Sequence, residues 1–152
     1  MKILIAIDDS KCSERVVEFV CKACNWKDTD ELMVLSVVEP LPREFTFLRI
    51  NDCDIGDYNK QIEKAHKKLV DSAAERIKSK LNNDNITTKI ANGMVAPCIV
   101  QTAENWNANL IVMGSHGGKG FRRMIIGSVA EEVLRKASCT VEIVKESTVI
   151  PD

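Results

Sequence analysis

The chain has 152 residues, a length suited to one domain that buries about 68–70% of its unfolded surface. Apolar residues make up 45% and charged residues 28%, and the formal net charge of −1 gives no electrostatic footprint for nucleic acid or an anionic membrane surface. The opening apolar run, Ile3 to Ile7, meets Asp8 and Asp9 at once, too short and too acidic for a secretion signal, and no run approaches the roughly 20 residues of a membrane span, so a cytoplasmic protein is expected.

Lys2 to Ile7 is apolar on consecutive positions, as for a strand buried on both faces. Asp8-Asp9-Ser10 turns the chain, and Ser10 is placed to cap a helix running to about Asn25, with Val16, Val17, Phe19, Val20, Ala23 and Cys24 at helical spacing. Leu32 to Val38 reads as a second buried strand, closed by Glu39-Pro40. Residues 40–56 form a connection long enough to suggest a functional segment. A long amphipathic helix is expected from Asp57 to Leu81, its stripe drawn through Ile62, Ala65, Leu69, Ala73, Ile77 and Leu81, and Asn82-Asn83-Asp84-Asn85 stops it. Ile86 to Ala91 is a more polar strand, as at a sheet edge. Ala96 to Trp106 reads as a helix with Pro97 in its first turn, and Leu110 to Met113 as a fourth buried strand. A glycine-rich basic connection covers 114–126. A last helix runs from Gly127-Ser128 to about Ala137, with Ser128 and Glu131 at capping-box spacing, and Thr140 to Val144 closes the chain as a fifth strand.

Strands alternating with helices predict an α/β fold, a doubly wound five-stranded parallel sheet with helices on both faces, in a single domain over 1–152. Such sheets bind ligands beyond the carboxyl ends of their strands where the winding reverses, which singles out Asp8, Val37 to Glu39, and Gly114.

The richest stretch is Gly114 to Ser128. Four of the seven glycines fall there within seven positions, at 114, 117, 118 and 120. Glycine lets main-chain amides approach an anion closely, and a following helix N-terminus adds unpaired N–H groups and a favourable dipole. The sequence is neither a Walker A loop nor the dinucleotide fingerprint. It is Gly-x2-Gly-x9-Gly-Ser, carried by Gly114, Gly117, Gly127 and Ser128.

These residues resemble the ATP-binding branch of the universal stress protein family. Ile3 to Ser10 is similar to its opening strand and Asp-x-Ser turn, Leu35 to Glu39 to its second strand, and Asn109 to Gly117 to its fourth. The resemblance covers residues 2–145 and implies an adenine nucleotide alpha hydrolase-like fold that holds ATP, ADP or AMP. By that resemblance Asp8 contacts the ribose, backbone groups at Val37 meet the adenine edge, and Gly114 and Gly117 line ribose and phosphate. Gly127, Ser128 and Val129 hold the phosphate chain. Mg²⁺ or Mn²⁺ is carried on the phosphates, and a homodimer through Thr140 to Val144 is implied. The resulting expectation is a regulatory nucleotide-binding stress-response protein, with a slow ATPase or nucleotidyl- or phosphoryl-transfer enzyme in the same pocket as the alternative.

Each residue also has a plainer reading. The glycine loop competes with a surface connection before a capped helix, and Asp8 with a turn aspartate that helps cap the first helix. Lys119, Arg122 and Arg123 either neutralise a triphosphate or form a solvated loop. His116 has no carboxylate partner visible in sequence, which disfavours general-base catalysis. His66 on a lysine-rich face is expected to be exposed, and Trp26 and Trp106 to lid the core. Of the six cysteines, Cys21 and Cys24 have redox or zinc half-site spacing, but without a second half-site they read as small hydrophobes.

Overall fold

The computed structural model describes residues 1–22, 25–40, 55–117 and 126–146. Its elements in chain order are β1 (Lys2–Ala6), α1 (Lys11–Lys22), β2 (Glu31–Val38), α2 (Ile55–Leu81), β3 (Ile86–Asn92), α3 (Val95–Trp106), β4 (Leu110–Gly114), α4 (Ser128–Lys136) and β5 (Thr140–Val144). The five strands form one all-parallel sheet in the order β3-β2-β1-β4-β5. β1 is therefore central, with Ala6 opposite Leu35 on one side and Met113 on the other. Winding proceeds from β1 towards β3 and then reverses across β1 to β4. This puts the switch point between β1 and β4.

The burial pattern follows from that order. Ile3, Leu4, Ile5 and Ala6 are all buried, because β1 is covered by helices on both faces. On one face Ile3, Ile5, Leu32 and Val34 pack with Val16, Val17 and Val20 of α1 and Val70, Ala73 and Ile77 of α2. On the other, Leu4, Ala6, Leu35 and Ile111 pack with Ala96, Ile99 and Ala103 of α3 and Ala130 and Val133 of α4. Each fully buried aliphatic side chain contributes about 1.5–3 kcal/mol relative to exposure, and the sheet gathers both layers. β3, with Thr87, Thr88 and Lys89 exposed, is an edge as its polarity predicts.

Helix ends follow local chemistry. Ser10 Oγ accepts from the Ser13 amide at 3.3 Å, the expected cap of α1. Asn82 after α2 and Asn107 after α3 take left-handed φ values of 51° and 55°, a conformation asparagine tolerates. The two tryptophans lie partly buried against the two core layers, Trp26 donating its indole N–H to the Val20 carbonyl at 2.8 Å.

Three expectations are corrected. Ala65 is exposed, and the buried stripe of α2 runs instead through Val70, Ala73 and Ile77. Alanine is apolar enough to fit a hydropathy pattern but too small to decide which face turns inward. His66, expected to be exposed, is half-buried with Nδ1 at 2.8 Å from Ser36 Oγ. Gly114 belongs to β4 rather than to the loop after it, standing opposite Val144 of β5. Most of the 40–56 connection, Cys24, Cys53, and Lys119, Arg122 and Arg123 lie outside the described residues. Among the described residues no helix is long and apolar enough to cross a membrane.

Candidate functional site

The site begins where β1 stops. Ile7 N–H still donates to the Leu35 carbonyl at 2.9 Å, and then the chain turns away. Its neighbours run further, β2 to Val38 and β4 to Gly114. The backbone groups of successive strand residues point to alternate sides. Since the Leu35 carbonyl faces β1, the N–H and C=O of Val37 face the same side, into the space β1 has vacated. Val38 faces the opposite way and accepts from Gly93 N–H at 3.0 Å. Likewise Ser115 N–H donates to Val144 of β5 at 3.0 Å, so Gly114 before it faces β1. Val37 and Gly114 thus stand on the two walls of one slot.

Asp8 forms the floor of that slot. Its Oδ1 accepts from Ser10 N–H at 2.9 Å and from Ser13 Oγ at 2.7 Å, while its own N–H donates to Ser13 Oγ at 2.7 Å. The turn-and-cap reading of Asp8 is therefore correct. The other carboxylate oxygen faces the glycine loop: a Cβ built on Gly117 would lie 2.8 Å from Asp8 Oδ2. One residue thus fastens α1 to β1 and touches the loop after β4. Ser13, buried at 7% exposure, is a partner sequence reading missed, although it lies five residues after Asp8 on the first turn of the capped helix.

The glycine loop is closed at its base by main-chain contact. Gly127 N–H donates to the Ser115 carbonyl at 2.7 Å, and a Cβ on Gly127 would stand 2.9 Å from that oxygen. Gly114 is equally tight, with a Cβ there lying 2.8 Å from Cys12 Cβ of α1. Close approach, rather than unusual dihedrals, is what these two positions require. The Gly127 amide, expected to face a phosphate, is thus engaged within the protein, because the loop must be pinned where it rejoins the sheet. The capping box is also corrected. Gly127 (φ −76°, ψ 160°) is the N-cap, makes no side-chain cap, and its carbonyl accepts from Glu131 N–H at 2.9 Å. Ser128 is the first helical residue, its side chain exposed, and Val129 the second, half-buried. The first-turn N–H groups of α4 thus have no side-chain cap at their end of the loop.

His116 lies between these elements. Its Nδ1 is 3.0 Å from Ser115 Oγ, and its Nε2 is buried with no hydrogen-bond partner. No carboxylate is bonded to the ring. Among the described residues, no group of three or more His, Cys, Asp or Glu side chains gathers as a metal cluster would. Cys12, Cys21, Cys98 and Cys139 are free thiols, and burial pushes Cys21 and Cys139 above the ordinary cysteine range.

A hollow of about 410 Å³ opens beyond the ends of β2 and β3, lined by Val38, Asn59, Ile62, Glu63 and Asn92 among others. Val38 and Glu39, at the singled-out end of β2, line it, whereas Asp8, Val37, Gly114, Gly117, Gly127, Ser128 and Val129 do not. It lies on the β3 side of β2, whereas the Val37 backbone faces β1, so this hollow and the slot are separate.

The universal stress protein family model matches residues 1–145. The universal stress protein MJ0577 of Methanocaldococcus jannaschii is 29% identical over 155 aligned positions, which cover 95% of this chain and 94% of the relative. Its solved structure superposes with a TM-score of 0.69 at 26% identity, covering 97% of each chain. Two solved structures carry nucleotides and share the fold at 21% identity. One is a universal stress protein in complex with cAMP, with a TM-score of 0.63 and coverage of 97% of this chain and 98% of that one. The other is the universal stress protein from Archaeoglobus fulgidus in complex with dAMP, with a TM-score of 0.56 and coverage of 95% and 98%. With its five-stranded parallel sheet and a family match over nearly its whole length, the chain belongs to the universal stress protein family.

Proposed function

We propose that this protein is a regulatory module that binds an adenine nucleotide, ATP in the leading case, in the slot between Val37 and Gly114. The observation that carries the reading is the close approach of Asp8 Oδ2 to Gly117 at the sheet's switch point, near enough that a Cβ on Gly117 would lie 2.8 Å from it, which brings the end of β1 beside the glycine loop. The adenine edge meets the Val37 backbone, and Asp8 accepts hydrogen bonds from the ribose hydroxyls. Gly114 and Gly117 lie along the ribose and first phosphate. The phosphate chain is held by the N–H groups of Ser128 and Val129, with the Ser128 hydroxyl beside them and Gly127 fixing their direction through its bond to Ser115. A divalent ion such as Mg²⁺ or Mn²⁺ travels on the phosphate oxygens and supplies charge neutralisation there. The cAMP and dAMP complexes of the two fold relatives support an adenine nucleotide as ligand class.

The binding reading is preferred to ATP turnover because hydrolysis needs a group that orients water near the phosphates. Among the described residues of the loop the titratable side chain is His116, and it bonds Ser115 rather than a carboxylate. The exposed edge strand β5, with Val141 and Ile143 half-buried, supports a second copy of the chain as partner, giving a homodimer in the cytoplasm. The test is to purify the protein, release any ligand with acid, identify it by chromatography, and then follow phosphate release with Mg²⁺. Stoichiometric adenine nucleotide without turnover is expected. Multiple turnover abolished by Ser128→Ala would instead establish an enzyme, and a protein that neither retains nor binds adenine nucleotide would refute the assignment.

A further inference from the structure

β1 and β2 form a regular parallel ladder as far as the Ile7 N–H bond to Leu35. The next rung of such a ladder runs from Val37 N–H to the Ile7 carbonyl. Among the described residues that rung is not made. The Ile7 carbonyl accepts instead from the side chain of Ser36, Oγ to O at 2.9 Å. Ser36 is 1% exposed, a polar residue inside the apolar run Leu32 to Val38, and its Oγ also lies 2.8 Å from His66 Nδ1 on α2. A hydroxyl has one hydrogen. Ser36 gives that hydrogen to Ile7, so the contact with His66 requires the proton on Nδ1, with the ring donating to Oγ.

We propose that His66, acting through Ser36, holds the Ile7 carbonyl out of the ladder and so keeps Val37 N–H open as the donor that reads an adenine edge. This rests on the nucleotide reading above and assigns a positioning residue to the same slot. The argument is one of exchange. If Ser36 did not occupy the Ile7 carbonyl, that oxygen would be a buried acceptor one rung from an unpaired amide, and pairing the two would satisfy both. The slot would then close by one rung from its β2 side. His66 matters because it takes up the second valence of the buried hydroxyl. A donor on that side leaves the Ile7 carbonyl as the acceptor for the Ser36 hydrogen.

The test combines amide hydrogen exchange of the ligand-free protein with titrations of ATP and inorganic tripolyphosphate. In the unmodified protein Val37 N–H exchanges readily without ligand and is protected by ATP but not by tripolyphosphate. In Ser36→Ala and His66→Ala, Val37 N–H becomes protected without ligand. ATP binding weakens about tenfold, the scale of one hydrogen bond, while tripolyphosphate affinity stays unchanged. His66→Asn presents an amide N–H close to where Nδ1–H stood and restores both readouts. Variants whose Val37 exchange is unaltered overturn the proposal whatever their ATP affinity, because any loss then comes by another route. Failure of the unmodified protein to bind ATP is a separate result, which overturns the nucleotide reading and the role of Val37 with it.

Discussion

Gly127 is where fold and site are most tightly joined, so Gly127→Ala is the sharpest perturbation. Its φ of −76° and ψ of 160° are open to alanine, and an added methyl would by itself favour the folded state by about 0.4–1 kcal/mol through a stiffer unfolded chain. Two terms oppose this. The methyl carbon would stand 2.9 Å from the Ser115 carbonyl oxygen, and ordinary contact begins near 3.4 Å, so the loop base must open. The atom it meets is main chain, and the same oxygen accepts the Gly127 N–H at 2.7 Å, so relief of the clash stretches the bond that closes the loop. Forced repacking of this kind costs about 1–3 kcal/mol, and alanine is a poorer N-cap than glycine by about 0.5–1 kcal/mol. The net is a loss of about 2 kcal/mol, or roughly 4–8 °C in Tm for a domain of this size. Because the first turn of α4 is aimed by this residue, ATP affinity should also fall by at least about tenfold. Thermal unfolding of the ligand-free protein and calorimetric titration with ATP measure the two effects separately. An unchanged Tm together with an unchanged Kd would refute the claim that the Gly127–Ser115 contact sets the loop.

Gly117→Ala should behave differently: its methyl would meet the Asp8 Oδ2 tip at 2.8 Å, a side-chain rather than a main-chain atom, so Tm should fall less than in Gly127→Ala while nucleotide affinity falls in titration. Asp8→Ala removes the acceptor for Ser10 N–H and Ser13 Oγ and should cost about 1–3 kcal/mol in denaturant unfolding, whereas Asp8→Asn keeps an oxygen for those bonds and should cost less. The thiols of Cys21 and Cys139, with pKa values raised by burial, should alkylate with iodoacetamide more slowly than a free thiol at neutral pH, and their rates should rise with pH beyond the ordinary cysteine range; mass spectrometry of timed samples measures both.

Much of this arrangement is legible in the residues. Consecutive apolar positions in Ile3–Ile7 and Leu110–Met113 mark strands covered on both faces, and these are the strands that pair at the switch point. The glycine spacing is read as close approach to an anion, whereas the close approaches the structure shows at Gly114, Gly117 and Gly127 are to Cys12, Asp8 and Ser115. What the pattern does not yield is how each contact is made. Spacing alone makes Ser128 and Glu131 a capping box, yet the chain enters α4 one residue earlier than the box requires, with Gly127 as the N-cap and pinned to Ser115. His66 reads as exposed because its neighbours are Ala65, Lys67 and Lys68, while its burial depends on a serine thirty positions earlier. The signal for it lies in β2, where Ser36 interrupts an apolar run and must find partners.

The slot itself is a consequence of unequal strand length. β2 and β4 continue past the level at which β1 ends, and β1 ends because the Asp8 carboxylate draws Ser10 N–H and Ser13 into a turn. The Asp-x-Ser signature therefore starts a helix and opens the slot in one step. That coupling sets stability against binding at a definite place. One more rung between Ile7 and Val37 would add a backbone hydrogen bond to the central pair of the sheet and at the same time remove the donor facing the ligand. Ser36 and His66 satisfy the Ile7 carbonyl without making that rung, so the sheet keeps a paired acceptor while the slot keeps an open amide. Changes that knit β1 further onto β2 should accordingly raise Tm and lower nucleotide affinity together.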